Sequence, residues 1–347
     1  MSELNPILAE LKGTSYLSTG DLSREQFEAM LDLAIAQKQG NASYGKPLDG
    51  KSVILLFFNP SLRTRTSMVV GVRQLGGDPV LLEIGKGVWN LEHREGIVMD
   101  GSNAEHIKEA IPVLASYADA IAVRCFPSME DYENDKTEPV LSAFQQYSPV
   151  PILNMESATH HPMQGGADML TIKEKLGSVA GRKVVLSWAY HPKALPMAVP
   201  NSFALASAQL GANLTLACPP EFVLDQSLMD DVKSRAEAAG GSFTVSHDLN
   251  EAATDAEVIY AKSWGSLQYY GRLDQEVEMR KAYKNWMISG DTMSRTNNGL
   301  FMHCLPVRRN VVVGDEVLDG PHSVVVDEAE NRLHWQKTMM SVYLNNS

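Results

Sequence analysis

Residues 57–67 read FFNPSLRTRTS, which sets Arg63 and Arg65 one residue apart, behind an apolar run and among the hydroxyls of Ser61, Thr64, Thr66 and Ser67. Two guanidiniums and that many hydroxyls suit an anion with several oxygens, above all a dianionic phosphate. The plainer alternative is a surface turn whose arginines pair with nearby acids. Four more apolar runs end in residues able to do chemistry. Arg124 stands in AVRCFP, His161 and Gln164 flank Pro162 in NMESATHHPMQGGAD, Lys262 stands in AKSWG, and Cys304, Leu305 and Arg308 stand in FMHCLPVRRN. Cys304 invites a thiol-nucleophile reading, but on a strand its neighbour His303 points to the opposite face and is badly placed as its base. A weakly polar lining residue is the better reading of Cys304.

Such residues need rigid elements behind them. SVILLFF (52–58) is a continuous apolar run of the kind found in strands covered on both faces, and TRTSMVVGVRQLGG reads as a helix ended by Gly76 and Gly77. The arginine pair therefore sits where a strand passes into a helix N-terminus, whose outward N–H groups and dipole add to the attraction for an anion. SREQFEAMLDLAIAQ opens with Ser23 and Gln26 in capping-box spacing and carries Phe27, Met30, Leu31 and Ala34 on one helical face. PVLLEI, AIAVRC and VPILNME read as further strands, with Ser102 and Glu105 as the capping box of a helix before AIAVRC. KVVLSWA, NLTLAC, SFTVSHD and EVIYAKS repeat the rhythm, separated by helical segments such as LMDDVKSRAEAAGG. Alternation of this kind predicts an α/β fold with two doubly wound parallel sheets, whose ligands bind beyond the carboxyl ends of the strands. The expected domains are 1–155 and 156–327, with DEAENRLHWQKTMMSVYL opening a helix, 328–347, that crosses back onto the first.

A chain of 347 residues, 44% hydrophobic and 21% charged, can bury two cores. Its formal net charge of −12 and lack of a basic tract argue against nucleic acid as a partner. Cys125, Cys218 and Cys304 are odd in number and widely spaced, so neither a disulfide framework nor a zinc site is expected, and a reducing cytosol fits. No eighteen-residue apolar run and no leader are present, so a cytoplasmic protein with no membrane partner is expected. Neither glycine-rich nucleotide fingerprint occurs, which leaves the phosphate to a small molecule.

SLRTR (61–65), HPMQ (161–164) and HCLP (303–306), in this order and spacing, resemble the carbamoyltransferases of the aspartate and ornithine transcarbamylase superfamily, over nearly the whole chain. The resemblance implies two α/β domains bridged by helices and a homotrimer with sites shared between subunits. It implies that Ser61, Leu62, Arg63, Thr64 and Arg65 hold the phosphate of carbamoyl phosphate, and that Arg124, His161, Gln164 and Arg308 lie near its carbamoyl group. Trp89, Cys304 and Leu305 complete those contacts. The Asp-x-x-x-Ser-Met-Gly motif of ordinary ornithine enzymes is missing, whereas KGVWNLE, NMESATHHP and YAKSWG resemble the branch acting on N-acylated ornithine. For that substrate the resemblance implies contacts from Trp89, Glu92, Phe126, Glu156, Lys262, Cys304 and Leu305, with Trp89 reaching a neighbouring subunit's site.

By the same resemblance, the residue three after the tryptophan separates acetyl from succinyl enzymes, and here it is Glu92. Two like charges ~4 Å apart at an effective dielectric of ~20 repel by ~4 kcal/mol. A hundredfold preference needs only about 2.7 kcal/mol. A solvated Glu92 facing away is the alternative. The expected reaction is carbamoyl transfer from carbamoyl phosphate to the δ-amine of N-acetyl-L-ornithine, in arginine biosynthesis, with no metal and no organic cofactor. N-succinyl-L-ornithine is the rival substrate. Of the other classes, a nicotinamide dehydrogenase would need a glycine-rich turn where KVVLSWAYHPKALP stands, and a noncatalytic carbamoyl-phosphate-binding homologue would have lost part of the phosphate-end set, which is complete.

Overall fold

The computed structural model describes residues 5–345. Among the described residues eleven strands run in chain order: β1 Ser52–Phe57, β2 Asp78–Glu83, β3 Leu91–Glu92, β4 Glu105–His106, β5 Ala120–Arg124, β6 Ile152–Glu156, β7 Lys183–Trp188, β8 Asn213–Ala217, β9 Ser242–Ser246, β10 Val258–Lys262 and β11 Leu300–Met302. They form two parallel sheets, β2-β1-β5-β6 and β11-β10-β7-β8-β9, and a parallel pair, β3-β4. The apolar run of β1 is buried from Val53 to Phe57, as a strand covered on both faces must be. Fully burying one such side chain contributes about 1.5–3 kcal/mol.

Two compact units divide the chain. The first comprises the residues up to Ser128, Glu133–Met163 and those from Arg332 on; the second comprises Met129–Tyr132 and Gln164–Asn331. Helix Pro162–Leu176 leaves the first unit after Met163, and helix Val325–Tyr343 enters it at Arg332. The last turns of that final helix lie against helix Arg63–Gln74 at Gly71, where a Cβ would meet Met340 Cε at 3.3 Å and Lys337 Cγ at 3.5 Å. A larger residue at Gly71 would push the two helices apart. The expected domain bounds also took in residues 1–4 and 346–347, which lie outside the described residues.

The Ser23 capping box forms as expected, with Gln26 donating its backbone N–H to Ser23 Oγ and returning its side chain to the Ser23 N–H. The Ser102–Glu105 box does not. Helix Ile107–Ala115 is capped by His106, whose Nδ1 accepts the Lys108 N–H at 3.1 Å. Glu105 lies in β4 and its carboxylate accepts from the Trp89 indole at 2.8 Å, which removes it from capping. Strand β11 ends at Met302, so His303 and Cys304 occupy the turn beyond it rather than alternate faces of a strand.

In the first sheet the chain places β2 on one side of β1 and β5 on the other, so the topological switch lies between β1 and β5. In the second sheet β8 and β10 flank β7, and the switch lies between β7 and β10. Ser61 and Leu62 follow β1 and Phe126 follows β5, while His161 follows β6 and Cys304, Leu305 and Arg308 follow β11.

Candidate active site

In the first unit, register gathers the strand ends. Phe57 pairs with Glu83 on one side and Arg124 on the other, and Arg124 pairs with Glu156. The pairing of β5 with β6 shifts between Val123 and Arg124, so that Glu156 rather than Met155 faces Arg124. That irregularity builds an ion pair. Arg124 Nη1 donates to Glu156 Oε2, and His161 Nε2 lies 3.4 Å from the same oxygen. All three side chains are buried, and the Arg124 guanidinium stands over the Phe126 ring, 4.5 Å from its centroid. The Arg124 Nε–H, a buried donor, meets no acceptor among the described residues.

The SLRTR residues lie at the start of helix Arg63–Gln74. No side chain caps it at Leu62, but Ser61 Oγ accepts the Thr64 N–H at 3.2 Å and so closes the loop onto the first turn. Leu62 is exposed, Ser61 and Arg63 are half-buried, and Thr64 is buried. Arg65 bonds Glu83 at the end of β2 at 3.0 Å, so for this arginine the plainer reading holds in the ligand-free chain. Across from Ser61, Asn59 Oδ1 accepts the Phe126 N–H at 2.7 Å and ties the loop after β1 to the end of β5.

The segment carrying Trp89 and Glu92 departs from expectation. Trp89 is 58% exposed. Glu92 is neither solvated nor uncompensated: it is 3% exposed, and Arg94 grips both of its oxygens, through Nε at 2.9 Å and Nη2 at 2.8 Å. The N–H groups of His93 and Arg94 and the amide of Asn103 add three more bonds. Hydrogen bonds from Arg94, then its backbone N–H and Asn103, hold the Glu92 carboxyl far below the usual carboxylate range despite burial. Glu92 is thereby held in a fixed, ionised position beside Arg94.

The second unit carries the other expected residues. Lys262 is the last residue of β10, paired with Trp188 at the end of β7. Arg308 is exposed and donates from Nε to Nε2 of His191 at 2.9 Å. His191 Nδ1 lies 3.0 Å from the Lys193 carbonyl and 3.1 Å from the Lys193 N–H, so acceptance at Nε2 requires the tautomer protonated on Nδ1, and burial lowers the imidazole pKa below the usual histidine range. Leu305 has φ 54°, a left-handed conformation uncommon outside glycine, and its N–H donates to His303 Nδ1 at 2.8 Å. That bond engages His303 Nδ1. Gln164 is buried, donating to Asp168 and Glu328.

Several supporting residues escaped the sequence. Arg332, buried in the last helix, donates to Thr64 Oγ1 at 2.8 Å. Glu138 accepts from Ser157, Ala158 and Thr159 and shapes the turn that delivers His161. His160, whose role the sequence left without an account, lies 3.5 Å from Ser18 Oγ, with burial lowering its pKa, and serves that same turn. Arg280 bonds the carbonyls of His191, Lys193 and Trp264 and pairs with Glu276. Among the described residues no group of three His, Cys, Asp or Glu could hold a metal, and no helix is long and apolar enough to cross a membrane.

Known proteins share this arrangement. The family model for the carbamoyl-P binding domain of aspartate/ornithine carbamoyltransferases matches residues 14–174, and that for the Asp/Orn binding domain matches residues 197–343. An N-acetylornithine carbamoyltransferase of Xanthomonas campestris pv. campestris is 45% identical over 96% of this chain and 98% of its own. An N-succinylornithine carbamoyltransferase of Bacteroides fragilis is 40% identical over 81% of this chain and 84% of its own. The crystal structure of an acetylornithine transcarbamylase complexed with acetylcitrulline superposes with TM-score 0.92 at 44% identity, covering 96% of this chain and 100% of that one. With both domain models matched and relatives more than 40% identical over nearly the whole chain, this chain belongs to the aspartate/ornithine carbamoyltransferase family.

Proposed function

We propose that the protein transfers the carbamoyl group of carbamoyl phosphate to the δ-amine of N-acetyl-L-ornithine, giving N-acetyl-L-citrulline and phosphate, as a step of arginine biosynthesis. The observation that carries the reading is the buried Arg124, held at the end of β5 beside Glu156 and His161, next to the switch point where helix Arg63–Gln74 begins. The acyl group is assigned from the relatives, since the N-acetylornithine enzyme is 45% identical and the N-succinylornithine enzyme 40%. Glu92, three residues after Trp89, is the residue assigned to the acyl end. Its internal neutralisation keeps N-succinyl-L-ornithine as the second substrate to test.

In this reading Ser61, Leu62, Arg63, Thr64 and Arg65 bind the phosphate through the helix N-terminus, two guanidiniums and the loop N–H groups. The δ-amine has an ordinary pKa of about 10.4, so at pH 7.4 only about one molecule in a thousand is neutral, a cost of ~4 kcal/mol that desolvation offsets in part. The neutral nitrogen attacks the carbamoyl carbon, negative charge builds on the carbonyl oxygen, and His161, Arg63 and Arg124 stabilise it. The carbon–oxygen bond to phosphate then breaks, and the proton lost from nitrogen ends on hydrogen phosphate. Gln164, Cys304, Leu305 and Arg308 address the carbamoyl end. Glu156 and Lys262 address the amino-acid end, and Phe126 and Trp89 line it.

A cytoplasmic homotrimer with shared sites belongs to the same reading. It is supported by the exposed apolar side chains of the segment that carries Trp89, with Val98 76% and Met99 40% exposed, as a face covered in an assembly would be. The deciding experiment offers carbamoyl phosphate with ornithine, N-acetylornithine and N-succinylornithine side by side. Turnover of the acetyl compound is expected. Preference for the succinyl compound would reverse the acyl assignment, and no turnover with any acceptor would leave a noncatalytic carbamoyl-phosphate-binding protein.

A further inference from the structure

Arg280 is the last residue of helix Leu273–Arg280, and its side chain is fully buried. Nη1 donates to the carbonyl oxygens of His191 at 2.7 Å and Lys193 at 2.5 Å. Nη2 donates to the Trp264 carbonyl at 3.1 Å and to Glu276 Oε1, one turn back on the same helix. His191 and Lys193 belong to the loop after β7 and Trp264 to the loop after β10, so one planar fork spans the switch point of the second sheet. The two loops also meet directly, the Ala189 N–H donating to the Lys262 carbonyl at 3.0 Å and the Gly265 N–H to the Leu195 carbonyl at 2.9 Å. Stability alone does not account for the buried pair of Arg280 and Glu276, because desolvating two charges cancels much of their attraction. What a fork with fixed angles adds is geometry.

Each loop steadies a cation of the second unit. Lys262 ends β10, two residues before Trp264, and the ring of His191 accepts from Arg308 at 2.9 Å. The charges of Arg308 and Lys262 both act on the His191 imidazole, so both cations lie near that ring. With Lys262 at the amino-acid end of the acceptor and Arg308 at the carbamoyl end, the acceptor's methylene chain must span the distance between them. We propose that Arg280 is a positioning residue that fixes the spacing between the loop of Lys262 and the loop that steadies Arg308, and thereby selects acceptors by the number of methylenes between their two ends. The inference rests on the carbamoyltransferase reading above and its assignment of those two cations. A lysine in place of Arg280 would put one ammonium on a flexible stem, which cannot hold three carbonyls of two loops in one plane.

The test uses the full chain with saturating carbamoyl phosphate and compares kcat/KM for N-acetyl-L-ornithine with that for Nα-acetyl-L-lysine, one methylene longer. A merely structural role would change the amount of folded protein, which cancels in the ratio of the two values. One methylene in a fitted site is worth roughly 10–200-fold, so the wild type is expected to prefer the ornithine compound within that range and Arg280→Lys to lose most of the preference. Glu276→Gln keeps an acceptor oxygen for Nη2 and all three carbonyl bonds, so its ratio should stay within about twofold of the wild type. Glu276→Leu/Arg280→Met removes the pair from both sides without stranding a charge, should lose the preference as Arg280→Lys does, and carries the comparison if Arg280→Lys does not fold. An unchanged ratio in the Arg280 variants, an equal fall in Glu276→Gln, a wild type indifferent to chain length, or failure of both Arg280 variants to fold would overturn the proposal. Wild-type protein that carbamoylates neither acceptor would overturn the carbamoyltransferase reading and this inference together, an outcome distinct from an unchanged ratio in variants of an active wild type.

Discussion

Glu156 Oε2 neutralises the buried Arg124 guanidinium, and the same oxygen lies 3.4 Å from His161 Nε2. The strand-end cation is thus occupied by its own chain. An arriving phosphate must share Arg124 with Glu156 or displace it, and displacement would turn Glu156 toward the amine-bearing substrate assigned to it.

Removing Glu156 alone strands a buried charge. Breaking a buried pair from one side costs roughly 3–5 kcal/mol, so Glu156→Ala is expected to melt well below the wild type when no ligand is present. Carbamoyl phosphate should then restore more stability to the variant than it gives the wild type, because its anion takes the vacated place. Thermal unfolding with and without carbamoyl phosphate measures this. An equal ligand-induced rise in Tm for both proteins would show that Arg124 is not where the anion binds.

Glu92→Ala tests the place of Glu92 at the acyl end of the substrate. The variant loses the two-oxygen bond with Arg94 and leaves Asn103 and two backbone N–H groups short of an acceptor, so a loss of about 1–3 kcal/mol is expected. Because the carboxyl pKa is depressed in the fold, its contribution is fully present above about pH 4.3, the unfolded value, and is lost as pH falls toward the folded one. With the carboxylate gone, the acetyl-to-succinyl preference should move toward N-succinylornithine. An unchanged preference with a lowered Tm would leave Glu92 a purely structural acid.

Where chemistry follows from elements close in sequence, the chain could be read directly. The apolar run of β1 followed by SLRTR marked both the strand and the anion loop, and Pro162 opens helix Pro162–Leu176 where His161 and Gln164 had been singled out. The compensation of Glu92 was also legible, since Arg94 is two residues on and shares its face of an extended chain. Other partners were out of reach. Arg332 meets Thr64 across 268 positions, and Gln164 meets Glu328 across 164, in a helix whose periodicity says only that it is buried. The shift that sets Glu156 opposite Arg124 leaves no trace in alternation, because both strands are buried throughout.

His191 and Arg308 give a pH dependence of known sign. His191 accepts the Arg308 Nε–H through Nε2, which requires a neutral ring, and burial keeps the ring neutral by lowering its pKa from the usual 6.5. Protonation would turn acceptor into donor and set two cations face to face. Since the folded pKa is the lower one, the contribution of this pair is complete above about pH 6.5 and is lost as pH falls through the folded value. In the wild type, kcat/KM for carbamoyl phosphate should therefore fall on the acid side with a midpoint below 6.5. His191→Gln, whose amide oxygen can accept the same proton without titrating, should retain more of its neutral-pH kcat/KM as the pH is lowered. An unchanged acid limb in His191→Gln would assign that ionisation to another group and leave His191 a packing residue.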